Sequence, residues 1–180
     1  MSTMESPQTV TQNQFVKAFG HPKERAVAKV KNRMSDQVQA YIAQSSLVVM
    51  ATSSGSGHCD ASPKGGKPGF VKILDDQHLI VPDVAGNKLF QSYLNMLENP
   101  HIGLLFLIPG SNDTVRVNGR VSLLSADELS ALNIKLSLNN PDDNSIQLQG
   151  VLVEVEEAYT HCPRAFKFAD LWNVEKVKRP

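Results

Sequence analysis

An excess of charge of either sign is missing from this chain: 18 Lys and Arg balance 18 Asp and Glu in 180 residues. A neutral total gives no overall pull toward nucleic acid or anionic lipid, so neither is an expected partner and any anion site has to be local. Long hydrophobic runs are also missing. The most apolar stretch, His101 to Pro109, has the length of a strand and falls far short of the roughly 20 residues that cross a bilayer. Only two cysteines occur, Cys59 and Cys162, far apart and without a CxxC spacing. That usage fits a reducing cytosol and predicts a cytoplasmic protein with free thiols. The first residues, Met1 to Gln14, have no positively charged start and no apolar block after them, which speaks against a secretory signal. A disordered tail is expected over residues 1–14, followed by a single domain over 15–180.

Hydrophobic residues make up 41% of the chain. A domain of this size buries roughly 70% of its unfolded surface and needs neither disulfide nor structural metal. Two short helical patterns occupy Pro22 to Ser45, divided at the cap-type pair Ser35-Asp36, which precedes Val38, Tyr41 and Ile42 at helical spacing. Ser46 to Thr52 and His58 to Ser62 read as a hairpin around a Ser/Gly turn. Pro63 to Gly69, with two prolines and three glycines in seven residues, is expected to be a shaped loop. Phe70 to Leu74 and His78 to Val81 form a second hairpin across Asp75-Asp76. Gly86-Asn87-Lys88 should open a helix that runs to the stop at Asn99-Pro100. His101 to Ile108 is apolar on both faces and belongs in the middle of a sheet. Thr114 to Leu123 alternates Val115, Val117 and Val121 against Arg116, Asn118 and Arg120. Ser125 with Glu128 resembles a capping box opening a helix to about Leu138. A long strand over Ile146 to Tyr159 and a short helix from Pro163 toward Trp172 complete the chain. Regular βαβ alternation, GxGxxG and GxxxxGK[ST] are all absent, so six or seven antiparallel strands should curl into a barrel.

Three groups of residues could carry chemistry. Ser62, Lys64 and Lys67, edged by glycines, offer a hydroxyl, two ammonium groups and open backbone N–H groups to an anion, although lysine with glycine is also common in solvated turns. Gly86-Asn87-Lys88 could present a helix N-terminus to a phosphate, and the plain alternative is an Asn cap. Arg116, Asn118 and Arg120 share one strand face, which is solvated unless something covers it. The dipeptides His58-Cys59 and His161-Cys162 could meet as a zinc site, but neighbours on a strand point to opposite faces, so a metal is not expected and packing roles are. No GxSxG elbow or local triad motif occurs.

The order of these pieces says more than any one of them. D-x-SPKG at Asp60 to Gly65, PGFV at Pro68 to Val71, PD-x-x-GN at Pro82 to Asn87, NP-x-x-GLLF-x-IPG at Asn99 to Gly110 and RVNGR at Arg116 to Arg120 follow one another. This run resembles the pyridoxamine 5'-phosphate oxidase-like family of FMN-binding split barrels, most of all a subgroup of FMN-dependent enzymes. His161-Cys162 and Leu171-Trp172 are similar to that subgroup's ending, so the likeness spans roughly Leu47 to Trp172. It implies a mainly β protein with flanking helices, a Greek-key split β-barrel that forms a homodimer with FMN between the subunits. Ser62, Pro63, Lys64 and Pro82 would line the flavin, Asn87 and Lys88 would hold its phosphate, Arg116 and Asn118 would face the cofactor, and Trp172 would cover it. The C-terminal tryptophan-arginine-leucine segment by which true pyridoxamine phosphate oxidases hold substrate is missing. The expected activity is therefore an FMN-dependent oxidoreduction of another substrate, with a small molecule or nicotinamide as possible electron donor. No side chain is assigned as catalytic, since flavin would carry the redox chemistry. The alternatives are a flavin-binding protein without turnover, or a split barrel using deazaflavin or haem.

Overall fold

A computed structural model describes residues 14–84 and 88–176. The expected tail lies outside them except for Gln14, which opens the first helix. The chain divides into two compact units, residues 1–30 and 31–180. The described part of the first contains α1 (Gln14–Phe19) and α2 (Glu24–Ala28). Gly20 closes α1 in the left-handed conformation at φ 83°, its N–H donating to the Val16 carbonyl at 2.8 Å.

The second unit begins with α3 (Asp36–Gln44), where the Ser35 hydroxyl accepts from the Val38 N–H and the helix buries Val38 and Ile42. Seven strands follow among the described residues: β1 (Leu47–Ser53), β2 (Cys59–Gly65), β3 (Lys72–Ile73), β4 (His78–Val84), β5 (His101–Leu107), β6 (Thr114–Ser125) and β7 (Gln147–His161). Helix α4 (Gln91–Glu98) precedes β5, α5 (Ala126–Ala131) follows β6, and α6 (Arg164–Ala169) follows β7. The strands form one antiparallel sheet in the order β2-β1-β5-β6-β7-β4-β3. This sheet curls into the split barrel, with β2 and the β3/β4 pair as its two edges. Its interior is filled by alternate residues of each strand, Val48 and Met50, Leu104 and Phe106, Val115 and Val117, Val151 and Val153, together with Val38 and Ile42 of α3 and Met96 of α4.

Several boundaries differ from the sequence reading, each for a local reason. The Pro63 to Gly69 loop starts later, because β2 continues through Pro63-Lys64-Gly65 in register with Val49, Val48 and Leu47. An edge strand can hold a proline. The helix opened by Ser125 ends at Ala131, seven residues early. Asn133 takes a left-handed φ of 55°, the Asn133 and Ile134 N–H groups donate to the Ser130 and Leu129 carbonyls at 2.9 Å each, and Ile134 packs on Leu129. That is a Schellman closure with Asn where Gly is usual. Helix α4 starts only at Gln91, after Phe90 in the left-handed region at φ 54°. Lys88 thus precedes the helix and does not lie in its first turn, and Asn87 lies outside the described residues.

Strand β7 carries a bulge: Asn118 pairs with Glu157, whereas the next residue, Gly119, pairs with Val155, leaving Glu156 over. A Cβ at Gly119 would fall on the Glu154 carbonyl. Gly119→Ala should therefore destabilise the domain by roughly 1–3 kcal/mol, the usual cost of forcing atoms into a packed site, as read by urea unfolding. At α5 the capping box is complete, with the Ser125 N–H donating to Glu128 at 2.7 Å and the Glu128 N–H donating to the Ser125 hydroxyl. The Ser125 backbone N–H and then its hydroxyl hold the Glu128 carboxyl below its ordinary value. This contribution to stability is present above the unfolded carboxylate range, about pH 4.3, and is lost as pH falls through the lower folded value. Ser125→Ala should cost about 1 kcal/mol at neutral pH in thermal unfolding, and less of that difference should remain in acid.

Candidate functional site

No backbone ladder joins β2 to β4 among the described residues, so side chains close the split in the barrel. Lys64, on β2, reaches the Asp83 carboxylate, on β4, with Nζ to Oδ2 at 2.7 Å. Only 7% of Asp83 is exposed. The same Oδ2 accepts from the Tyr93 hydroxyl of α4 at 2.6 Å, and Oδ1 accepts from the Val84 N–H at 2.9 Å. A buried carboxylate is tolerable only when it is paired and hydrogen-bonded, and these three donors meet that condition. Burial, followed by the Asp83 charge, pushes the Tyr93 phenol far above its ordinary value, so it stays a donor at any working pH.

Two clefts share Lys64, Asp83 and Val84 as a common wall. The first, about 100 Å³, is polar: it contains Asp60, Ser62, Ser92, Tyr93 and Lys88. Ser92 donates to Asp60 and lies 3.2 Å from the Ser62 hydroxyl oxygen. Lys88 at φ 61° and Phe90 at φ 54° both hold left-handed backbone here, which side chains other than glycine rarely adopt. The second cleft, about 210 Å³, is more apolar and is lined by Pro63, Phe70, Pro82, Leu136 and Leu138. Its far wall is tied down by the Lys67 N–H, which donates to the Ser137 carbonyl at 2.8 Å.

A third group lies on the outer face of the barrel. In the register of β2, β1, β5, β6 and β7, Pro63, Val49, Leu105, Arg116 and Tyr159 form one row. The bulge at Glu156 lets Glu157 fall on the same face as Arg116 and Asn118, where its carboxylate accepts from both, at 2.9 and 3.0 Å. The Arg116 guanidinium also sits 4.7 Å from the centre of the Tyr159 ring, a cation–π distance. Its Nε is buried with no hydrogen-bond partner among the described residues. Burial raises the Tyr159 phenol above its ordinary value, against the opposing charge of Arg116.

The residues singled out in the sequence thus separate into groups. Ser62, Lys64 and Lys88 meet at the polar cleft, and Pro63, Lys64 and Pro82 at the apolar one. Arg116 and Asn118 belong to the outer face. Trp172 joins none of these within one chain. Its Nε1 donates to the Ser111 carbonyl at 2.7 Å and its ring stacks on Phe166. Cys59, on β2, and His161, on β7, have three strands between them in the sheet, and no group of three or more His, Cys, Asp or Glu among the described residues could hold a metal ion. Sequence reasoning missed Asp83, Tyr93, Ser92 and Glu157. Asp83 stands beside Pro82 in the PD segment and could have been found as the acid that Lys64 needs, whereas Glu157 depends on a bulge that alternation does not announce.

Comparison with known proteins agrees with this architecture. The family described as pyridoxamine 5'-phosphate oxidase matches residues 34–162. No curated protein matches the chain. Among solved structures, HupZ from Group A Streptococcus is similar at 15% identity over 71% of this chain and 93% of its own, with a TM-score of 0.52. A candidate pyridoxamine 5'-phosphate oxidase from Lactobacillus delbrueckii is similar at 19% identity over 72% of this chain and 95% of its own, with a TM-score of 0.51. These two likenesses show the fold, and the family match covers most of the second unit, from two residues before α3 to the residue after β7. The chain belongs to the pyridoxamine 5'-phosphate oxidase family.

Proposed function

We propose that this protein is a homodimeric flavoprotein that holds FMN at the Lys64–Asp83 seam and acts as an oxidoreductase. The observation that carries the reading is Lys64 itself, an ammonium group fixed by a buried carboxylate on the wall common to a polar and an apolar cleft. FMN needs both surroundings, donors for its phosphate and ribityl hydroxyls and an apolar bed for its rings. Lys88, Ser62 and Ser92 have the donor chemistry for the first, and Pro63, Pro82, Phe70 and Leu138 supply the second. The residues present therefore fit the group.

FMN, when bound, supplies the hydride and electron transfer. The chain's part is to bind, orient and exclude water. Lys88 contributes charge at the mouth of the polar cleft, where it is exposed. Asp83 and Tyr93 hold the Lys64 ammonium in place, so that its charge is already oriented before any ligand arrives. The prolines and leucines of the second cleft keep its floor dry.

A second subunit is part of the reading because each cleft is smaller than the roughly 300 Å³ at which ligand pockets begin. The buried, unpartnered Arg116 Nε points the same way, since such a group costs stability until a partner reaches it. The row through Leu105, Arg116 and Tyr159 is where we place the second copy.

The purified protein should be yellow, release FMN identifiable by mass, and sediment as a dimer. A nicotinamide donor that bleaches it would favour an enzyme, and a protein that stays yellow with every donor would favour flavin binding without turnover. A haem or deazaflavin spectrum would replace FMN in this account. Lys88→Ala should weaken FMN at least tenfold, as expected for loss of a charge-assisted contact worth roughly 1.5–3 kcal/mol. An unchanged dissociation constant in a variant with native circular dichroism would remove Lys88 from the site.

A further inference from the structure

The neutral total conceals an uneven distribution. Residues 34–180 hold 12 basic and 16 acidic side chains, whereas the stretch from Lys17 to Lys29 holds Lys17, Lys23, Arg25 and Lys29 against the single acid Glu24. All four of these basic residues are exposed. Among the described residues no ion pair neutralises Lys17, Lys23 or Arg25. The same unit exposes large apolar side chains, Phe15 at 62%, Phe19 at 85% and Val27 at 57%. Phe15 and Phe19 are four residues apart in α1 and so share one helix face.

We propose that this N-terminal unit docks on an anionic lipid bilayer. Basic residues interspersed with exposed phenylalanine and valine match the interfacial region of such a surface, where apolar side chains enter the acyl boundary and ammonium groups meet lipid phosphates. Charge complementarity selects an anionic surface. The aliphatic part of the set favours lipid over nucleic acid: Val27, with Ala26 and Ala28 around it in α2, gains nothing from base stacking, which needs a flat ring, but does gain from leaving water. The attraction acts only within about a Debye length, roughly 8 Å at physiological salt, so it coexists with a molecule of zero net charge.

The test is sedimentation of the full chain with vesicles, either of phosphatidylcholine alone or of phosphatidylcholine mixed with phosphatidylglycerol. The protein should partition at least tenfold more strongly onto the anionic vesicles, and less so as salt rises. A full-chain variant carrying Lys17→Gln, Lys23→Gln and Arg25→Gln should lose about a hundredfold, near fivefold for each charge. Phe19→Ser should weaken partition while leaving the salt dependence unchanged. Both variants should keep the native circular dichroism and cofactor content. Equal partition onto the two vesicle types, or an unaltered triple variant, would overturn the proposal. So would binding of single-stranded RNA that the triple substitution abolishes in a protein that ignores vesicles.

Discussion

One ion pair does at the seam what backbone hydrogen bonds do elsewhere in the barrel. Six strand boundaries are ladders, and the one between β2 and β4 is bridged by Lys64 and Asp83. A ladder leaves no room for a ligand, because neighbouring strands lie about 4.8 Å apart. A seam closed by a long lysine side chain reaching an aspartate leaves a hollow on either side of the pair. The two clefts are the consequence, and so is their contrast in character. Strand β2 alternates, sending Ser62 and Lys64 to one face and Pro63 to the other, so that a single short strand gives each cleft a different wall.

The pair can serve this purpose only because Asp83 is fully provided for. Tyr93 comes from α4 and the Val84 N–H from the same strand, so the carboxylate is held from two directions before Lys64 is counted. Since Tyr93 also lies in the barrel's core cluster, a phenol packed for apolar reasons fixes the electrostatics of the seam. The outer face has a comparable device. The extra residue Glu156 on β7 changes the facing of the strand, which brings Glu157 to Arg116 and Asn118 and returns Ala158 to the core. Both arrangements place a charge by means of a backbone irregularity or an edge: without the bulge Glu157 would share the inward face of Val153 and Val155.

How much of this was legible follows from which interactions are local. The capping box at Ser125, the α3 start at Ser35, the stop at Asn99-Pro100 and the alternation of β6 depend on neighbours a few residues away, and they stand where the sequence puts them. The early end of α5 was local too, but its signal was an asparagine in a role that glycine usually fills. Turn composition misled at Pro63, because glycine and proline counts do not reveal that the segment is an edge strand. The lysines and serine of the first loop were visible as candidates from their chemistry. The carboxylate partner of Lys64, 19 residues away, was not, since nothing in a one-dimensional pattern states that the two edges of a sheet will meet. The resemblance by motif order compensates for this, because it includes both SPKG and PD, and the structure joins the two through Lys64 and Asp83.

The account stands on direct coupling across the seam. A double-mutant cycle with Lys64→Met and Asp83→Asn, read by unfolding free energy, measures that coupling without reference to any cofactor. The predicted result is that the two single changes together cost more than the double, with an interaction energy of roughly 1–3 kcal/mol, because either change alone strands a buried charge or its donors. Additivity to within about 0.5 kcal/mol would contradict it, and the barrel would then be closed by something other than this pair.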